Sequence, residues 1–151
     1  MIDYSYILPQ QGNYDEILSH LQAMDDSYAV KLSDRVDLCA YAKKIFDNAT
    51  LFTARDNCML IGLVAIYVNK KPILSFCTDV SVLPSYQKSN GIGGALMRLA
   101  IQYIKEYGGA GIALIADMKL LPFYNKLGFV ESVSDYELNN KELYLEYVFN
   151  S

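Results

Sequence analysis

One stretch of the sequence, residues 78–100, joins an apolar strand, a glycine-bearing turn and an amphipathic helix. The N–H groups in the first turn of a helix have no intrahelical partners, and the helix dipole places partial positive charge at the same end. Gly91, Gly93 and Gly94 carry no Cβ atoms that would hold a bulky anion away from these amides. The stretch therefore predicts a strand, loop and helix that together cradle a phosphate group.

The spacing of the glycines distinguishes among known phosphate loops. A Walker A loop ends in Lys-Ser or Lys-Thr, and neither pair follows Gly94. A dinucleotide-binding loop requires a glycine three residues after Gly93, where this chain has Leu96. The remaining pattern, Q/R-x-x-G-x-G/A, fits with Lys88 in its first position, or with Gln87 there if the loop has one extra residue. Both assignments stay open.

A second pattern follows between residues 113 and 129, where a short strand leads into a short helix. The helix ends in the sequence F-Y-x-K-x-G-F, formed by Phe123, Tyr124, Lys126, Gly128 and Phe129. Together with the glycine loop, in this order and at this separation, the pattern resembles the GNAT family of N-acyltransferases over about residues 60–135. The chain departs from the family pattern where Asp117 and Leu120 replace a common Asn and Ala.

The resemblance implies an α/β fold built on one sheet. We expect the GNAT acyl-CoA N-acyltransferase fold, in which a central, mixed and mostly antiparallel sheet of six or seven strands is flanked by about four helices. Its two parallel strands, here residues 73–83 and 112–116, should splay apart so that the pantetheine arm of coenzyme A inserts between them. Residues 1–151 are expected to form a single GNAT domain, because this length is typical of one domain and 52% of the residues are hydrophobic.

The periodicity of the apolar residues predicts the elements of this fold. Strands are predicted over residues 1–9, 50–55, 59–68, 73–83, 112–116, 129–138 and 142–149. Helices are predicted from Asn13 as N-cap to about Asp26, from Ser33 or Asp34 to about Asn48, from Ile92 to Gly108, and over residues 119–127.

By the same resemblance, the glycine loop and the strand before it bind acetyl-CoA. A backbone N–H of that strand would also stabilise the oxyanion that develops on the thioester. The residues expected to contact the cofactor are Val80, Val82, Leu83, Gln87, Lys88, Ser89, Asn90, Gly91, Ile92, Gly93 and Gly94.

Two side chains are candidates for the proton transfers of this reaction. Tyr124 is expected to protonate the departing thiolate, whose conjugate acid has a pKa of about 8.5. Asp79, on the strand that enters the loop, is the candidate general base, acting directly or through water. His20, the only histidine, is expected on a helix surface, and Cys77 is expected to serve in packing.

The predicted function is the transfer of an acetyl group from acetyl-CoA to a primary amine of a small molecule, by direct attack in a ternary complex. Two alternatives stay open. One is a catalytically silent or regulatory coenzyme A binding module, and the other is an acetyltransferase for a protein or peptide amine. A homodimer also stays open.

The composition argues against several other classes of protein. A net charge of −4 and a pI near 4.9 argue against nucleic acid as a partner. No run of about 18 apolar residues occurs and the N-terminus lacks a signal-peptide pattern, so we expect no membrane association and a cytoplasmic location. The 3 cysteines are widely spaced and include no C-x-x-C pair, which predicts neither a disulfide framework nor a metal site.

Overall fold

The computed structural model of the protein describes residues 1–26, 33, 37–87 and 91–150. The strands are β1 (Ile2–Ile7), β2 (Thr50–Asp56), β3 (Met59–Tyr67), β4 (Ser75–Val82), β5 (Gly111–Asp117), β6 (Val130–Glu131) and β7 (Glu142–Val148). The helices are α1 (Tyr14–Asp25), α2 (Leu38–Asn48), α3 (Ile92–Tyr107) and α4 (Leu121–Leu127), and short 3-10 turns cover Pro84–Tyr86 and Met118–Leu120. No helix in these ranges is long and apolar enough to cross a bilayer.

The strands form one sheet in the order β1-β2-β3-β4-β5-β7-β6. Neighbouring strands are antiparallel except for β4 and β5, which run parallel. This parallel pairing is short, and it extends only from Ser75 opposite Ile112 to Cys77 opposite Leu114. Beyond Cys77 the two strands separate, so within the described sheet the second half of β4 pairs with β3 alone. The predicted mixed sheet with a splayed parallel pair and four flanking helices is confirmed.

Different helices cover the two faces of the sheet. Leu96 and Met97 of α3 belong to the larger hydrophobic core, which also includes residues of α4. Ile17 of α1 and Ile45 of α2 belong to a second core on the opposite face, where they pack against β2 and β3. The gap between β4 and β5 therefore lies between two helical layers.

Helix α3 passes close to β3 at Gly62. A Cβ atom on Gly62 would lie 3.0 Å from Leu96 Cδ1 and 3.1 Å from Ile92 Cγ2, so a larger residue would push the helix away from the strand. Ile92 is the first residue of α3, and its side chain is buried. Gly62 therefore sets the position of the N-terminal end of α3 over the sheet.

The first two helices begin at capping side chains. Asn13 Oδ1 accepts a hydrogen bond of 3.0 Å from the N–H of Glu16, as predicted for α1. Helix α2 begins later than the predicted start at Ser33 or Asp34, because Asp37 Oδ1 accepts two first-turn N–H groups at 2.9 and 3.3 Å. Asp34 lies outside the described residues. Since Asp34 and Asp37 are both suitable caps, the sequence alone does not separate the two starts.

The strand predicted over residues 129–138 is much shorter in the structure. It consists of Val130 and Glu131, which pair with β7. Ser134 Oγ then accepts a hydrogen bond of 2.8 Å from the N–H of Tyr136, so the backbone turns where a strand would extend. Val133 is 94% exposed, so the alternation of this segment buries no apolar face and does not hold it in the sheet. The other predicted strands agree with the structure to within two residues at each end.

Candidate active site

The separation of β4 and β5 leaves a gap that continues into two cavities. The larger, of about 440 Å³, extends from β4 to the N-terminal end of α3, and its lining includes Val82 and Gly93. The smaller, of about 200 Å³, lies between β4 and β5, and its lining includes Asp79. Val80 and Tyr124 line both cavities, which are therefore adjacent.

The N-terminal end of α3 forms one wall of the larger cavity. Gly91 precedes the helix in the left-handed conformation, with a φ of 58°, which glycine adopts at little cost. The first intrahelical bond runs from the N–H of Ala95 to the carbonyl oxygen of Gly91, at 3.0 Å. The N–H groups of Ile92, Gly93 and Gly94 therefore have no partner within the helix, and no described side chain caps them. This end of α3 can hold an anion.

The loop before α3 is described as far as Gln87. Lys88, Ser89 and Asn90, which were predicted to contact the cofactor, lie outside the described residues. Gln87 Nε2 donates a hydrogen bond of 2.8 Å to the carbonyl oxygen of Val82. In this structure the Gln87 amide therefore braces the end of β4.

The backbone of β4 directs polar groups into the gap. The N–H of Leu83 donates to the carbonyl oxygen of Ile61 at 2.9 Å and is already used within the sheet. Successive residues of a strand direct their backbone polar groups to opposite sides, so those of Val82 and Val80 point away from β3. The hydrogen bond from Gln87 to the carbonyl oxygen of Val82 agrees with this orientation.

A cation outside the predicted site residues lies beside the N-terminal end of α3. A Cβ atom on Gly94 would come within 3.1 Å of Arg98 Nη1, so the guanidinium group lies against the first turn of the helix. Positions four residues apart share one face of a helix. This spacing, with a glycine at the first position and a cation at the second, is the signal that could have identified Arg98.

Tyr124 lies at the junction of the two cavities. Its buried ring packs edge-on against Phe123, at a centroid distance of 4.9 Å, and against Phe129, at 5.7 Å. The N–H of Phe129 donates to the carbonyl oxygen of Tyr124 at 3.1 Å, where α4 ends. The aromatic residues of the F-Y-x-K-x-G-F segment thus hold the ring of Tyr124 at the gap.

Asp79 lines the smaller cavity together with Tyr124, so the structure brings the two predicted catalytic residues to one place. Ser81 Oγ donates a hydrogen bond of 2.7 Å to Asp79 Oδ2. Burial raises the pKa of Asp79 to about 6, and the hydrogen bond from Ser81 opposes this rise. A carboxyl group with such a pKa can exchange protons near neutral pH.

His20 is buried, and the prediction that it lies on a helix surface is wrong. It is 4% exposed, and its Nε2 atom lies 2.8 Å from Ser81 Oγ. Burial lowers the pKa of His20 to about 4, although the charge of Glu16, one turn earlier in α1, acts in the opposite direction. His20 is therefore neutral near pH 7. The contact joins residues 61 positions apart, which no local sequence pattern reveals.

Strand β4 contains a bulge next to Asp79. Asp79 pairs with Ala65 of β3, but the next residue of β3 pairs with Cys77, so Thr78 is the additional residue. The hydroxyl of Tyr41, in α2, donates to the carbonyl oxygen of Thr78 at 2.7 Å. Burial, and to a smaller extent the charge of Asp79, raises the pKa of Tyr41 well above its ordinary value, so this hydroxyl stays protonated.

The thiol of Cys77 is not activated. The side chain is buried, and burial raises the pKa of the thiol well above its ordinary value. This agrees with the predicted packing role. Across the described ranges, no group of three or more His, Cys, Asp or Glu side chains could hold a metal ion.

Aromatic and acidic side chains continue the face of the sheet on which Asp79 lies. The residues of β3 that pair with Phe76 and Asp79 are two positions apart, so both side chains share this face. The ring of Tyr136 lies 5.6 Å from that of Phe76 and 5.8 Å from that of Tyr144. The hydroxyl of Tyr144 donates to Glu146 Oε2 at 2.8 Å. Ring faces beside a carboxylate form a surface that attracts a cationic amine.

Comparisons with known proteins agree with this geometry. Residues 16–129 match the sequence model of the Acetyltransferase (GNAT) family. No curated protein sequence matches the chain significantly. Among solved structures, the ribosomal-protein-S18-alanine N-acetyltransferase of Escherichia coli is 16% identical, with a TM-score of 0.74 over 98% of this chain and 94% of that one.

Two further solved structures contain coenzyme A or acetyl coenzyme A. The PaiA N-acetyltransferase of Thermoplasma acidophilum, in complex with coenzyme A, is 12% identical, with a TM-score of 0.72 over 99% of each chain. An acetyltransferase of Bacillus anthracis, in complex with acetyl coenzyme A, is 26% identical, with a TM-score of 0.57 over 68% of this chain and 64% of that one. The sequence match covers more than half of the chain and includes both the glycine loop and Tyr124, so the chain belongs to the Acetyltransferase (GNAT) family.

Proposed function

We propose that this protein is an N-acetyltransferase that moves an acetyl group from acetyl-CoA to a primary amine of a small molecule, by direct attack in a ternary complex. The observation that carries the proposal is the gap between β4 and β5, which joins the end of α3 to the cavity at Asp79. An elongated donor could lie with its phosphates at α3 and its thioester beside Tyr124. Membership of the family supports acyl transfer, and two solved relatives contain the proposed donor or its product.

The phosphates of the donor would be held by the N-terminal end of α3. The free N–H groups of Ile92, Gly93 and Gly94 and the positive end of the helix dipole suit a pyrophosphate. Arg98 adds a full positive charge at the same turn. Residues 88–90 and Gly91 complete the proposed contact set.

The arm of the donor would lie in the gap. Val80 and Val82 direct backbone groups toward it, and these groups suit the amides of a pantetheine arm. One N–H of this strand segment would also stabilise the oxyanion that develops during the attack. Leu83 and Gln87 stay in the proposed contact set. Each makes a hydrogen bond at the end of β4, and Gln87 also lines the larger cavity.

The proton transfers would be divided between two side chains. Asp79 takes a proton from the amine as its nitrogen attacks the thioester carbon. Tyr124 gives its hydroxyl proton to the sulfur as the carbon–sulfur bond breaks. A phenol and a thiol differ in pKa by about 1.5, so this second transfer is nearly balanced.

The acceptor would approach across the aromatic face of the sheet. Phe76, Tyr136 and Tyr144 offer ring surfaces, and Glu146 offers a negative charge. This combination favours an acceptor that carries a positive charge besides the reacting amine. An acetyltransferase for a protein or peptide amine is the second candidate, and a coenzyme A binding module without activity is the third.

The proposal is tested by screening amines for release of coenzyme A thiol from acetyl-CoA, with binding of acetyl-CoA measured by calorimetry. We expect turnover with a small cationic amine and a loss of about 10²-fold or more in Asp79→Asn, while acetyl-CoA still binds. Asp47→Asn, which changes a partly exposed carboxylate of α2 that pairs with Lys43, is the matched control and should retain full activity. Turnover with peptides alone would favour the second candidate, and binding without turnover across the panel would favour the third.

A further inference from the structure

A continuous chain of buried polar groups connects helix α1 to the candidate base. His20 Nε2 lies 2.8 Å from Ser81 Oγ, and Ser81 Oγ lies 2.7 Å from Asp79 Oδ2. His20 is 4% exposed and Ser81 is 3% exposed, so water does not compete for these hydrogen bonds. These hydrogen bonds lie on the face of the sheet that is opposite to α3 and α4. Ser81 pairs with Leu63, which belongs to the core formed with α1 and α2.

The single proton of Ser81 determines the direction of the whole chain. An ionised carboxylate only accepts hydrogen bonds, so Ser81 donates to Asp79 and must accept from His20. Neutral His20 then carries its proton on Nε2 and has a lone pair on Nδ1. Among the described residues Nδ1 makes no hydrogen bond, which is tolerated better by a buried acceptor than by a buried N–H. The backbone of Leu60 and of Ser81 also contacts the ring and favours its protonated form, in opposition to burial.

We propose that Ser81 and His20 are positioning residues for the acetyl transfer, which fix Oδ2 of Asp79 through this chain and leave Oδ1 to take the proton of the amine. The inference rests on the proposed role of Asp79 as the base. As the carbon–nitrogen bond forms, the amine proton passes to Oδ1. As the carbon–sulfur bond breaks, the sulfur keeps the electron pair and takes the proton of Tyr124, and solvent later restores both side chains. His20 stays neutral throughout, because burial lowers its pKa to about 4.

Removing the hydrogen bond from Ser81 should raise the pKa of Asp79, because this bond stabilises the charged form of the carboxyl group. The other titratable groups around Asp79 are Cys77 on its own strand, Tyr41 of α2, Asp117 of β5 and Tyr124 of α4.

Two further pairs flank the chain without touching Asp79. Tyr67 of β3 lies beside Tyr41, and Glu16 lies near His20 while it forms an ion pair with Arg55 of β2. Ser81 Oγ donates to the Asp79 carboxylate, so it is the contact whose loss the pH profile should report.

The first test detects the hydrogen bond between His20 and Ser81 without any measurement of activity. Because His20 is the only histidine, ¹⁵N labelling gives a single pair of imidazole signals. We expect the neutral tautomer with its proton on Nε2 from pH 8 to pH 5, and no titration near pH 6.5. A proton on Nδ1, or a midpoint near 6.5, would overturn the proposed chain.

The second test compares pH profiles of kcat/KM. Ser81→Ala should move the acidic limb upward by about one to two pH units, the shift expected when a charged group loses a hydrogen bond. His20→Leu should move the limb in the same direction, and His20→Gln, whose amide N–H can still donate to Ser81, should restore it in part. Thr53→Val removes a buried hydroxyl that bonds to Ser5, and it is the matched control with an unchanged acidic limb.

The positioning role would be refuted if Ser81→Ala folds, binds acetyl-CoA and shows the same acidic limb of the kcat/KM pH profile as the wild type. Failure of the proposed function looks different, since the wild type would then acetylate no amine at all. In that event the ¹³C titration of the Asp79 carboxyl in the wild type and in Ser81→Ala still reports whether the chain sets its pKa.

Discussion

Tyr124 is the residue at which both cavities of the gap meet. Its replacement by phenylalanine keeps the edge-on contacts with Phe123 and Phe129 and removes only the hydroxyl. We expect Tyr124→Phe to lower kcat at least about tenfold, because the thiolate then leaves without a proton donor, and to leave the Kd for acetyl-CoA nearly unchanged. Thiol release and calorimetry measure the two quantities. Tyr107→Phe, on the exposed end of α3, is the control, and equal turnover in both variants would remove Tyr124 from the mechanism.

His20 and Asp79 contribute to stability with opposite dependence on pH. The pKa of His20 falls from 6.5 to about 4 on folding, so His20 costs stability as the pH falls through this range. The pKa of Asp79 rises from 3.8 to about 6, so its contribution is present below pH 3.8 and is lost as the pH rises toward 6. Between pH 4 and pH 6 the two contributions therefore largely cancel.

Replacing the histidine should uncover the contribution of Asp79. As the pH falls from 7 to 4.5, the free energy of unfolding of His20→Gln should rise relative to that of the wild type by up to about 3 kcal/mol. The reason is that the wild type loses stability when the histidine takes up a proton only in the unfolded state, and glutamine does not titrate. Urea unfolding at a series of pH values measures the difference. Gln22→Ala, at an exposed position of α1, should follow the wild type at every pH. Parallel curves for the wild type and His20→Gln would show that His20 titrates alike in both states.

The catalytic candidates differ in how far the sequence could predict them. Tyr124 and the glycines at α3 belong to local patterns with fixed spacing, so a single sequence predicts their role. Ser81 lies two residues after Asp79 on the same face of β4. His20 becomes a neighbour of Ser81 only when α1 packs on the sheet, and the sequence separation of 61 hides that contact. The burial of His20 was also not predictable from α1 alone, because Glu16, one turn earlier, is polar and partly exposed.

At the scale of elements, the contact between β3 and α3 links the core to the candidate donor site. Gly62→Ala would place a Cβ atom 3.0 Å from Leu96 and 3.3 Å from the Cβ of Ala54, so the helix must move. We expect a loss of about 1–3 kcal/mol in the free energy of unfolding, measured in urea. Affinity for acetyl-CoA should fall as well, because Ile92 begins the helix whose N–H groups form the cradle. A loss of stability with unchanged affinity would show that the cradle is independent of β3.

Most elements follow from the sequence because their apolar residues have one dominant period. β3 is buried along almost its full length, and α3 combines a clear apolar stripe with a glycine at each end. The segment after Phe129 was predicted wrongly because alternation there is not accompanied by burial, and a serine turn competes with the strand. The bulge at Thr78 was also unforeseen, since it depends on the pairing with β3 rather than on a local signal.

At the scale of the whole molecule, we propose that residues 1–151 form a single domain. The strands of the described residues all belong to one sheet, and α3 contacts strands on both sides of the gap. Unfolding should therefore be a single transition, with coincident curves from far-ultraviolet circular dichroism and tyrosine fluorescence. Acetyl-CoA at 100 times its Kd should stabilise the folded state by about 2.7 kcal/mol. Two separate transitions, of which only one responds to acetyl-CoA, would contradict the single domain.

The short junction between β4 and β5 also has a mechanical consequence. Three residue pairs connect a four-stranded half of the sheet to a three-stranded half, and past them the halves are held by packing rather than by backbone pairing. A molecule that hydrogen-bonds to β4 inside the gap supplies the pairing that the protein lacks there. A donor bound in the gap would then make the sheet more rigid. The face of the sheet that contacts the second substrate would be rigid only while the donor is bound.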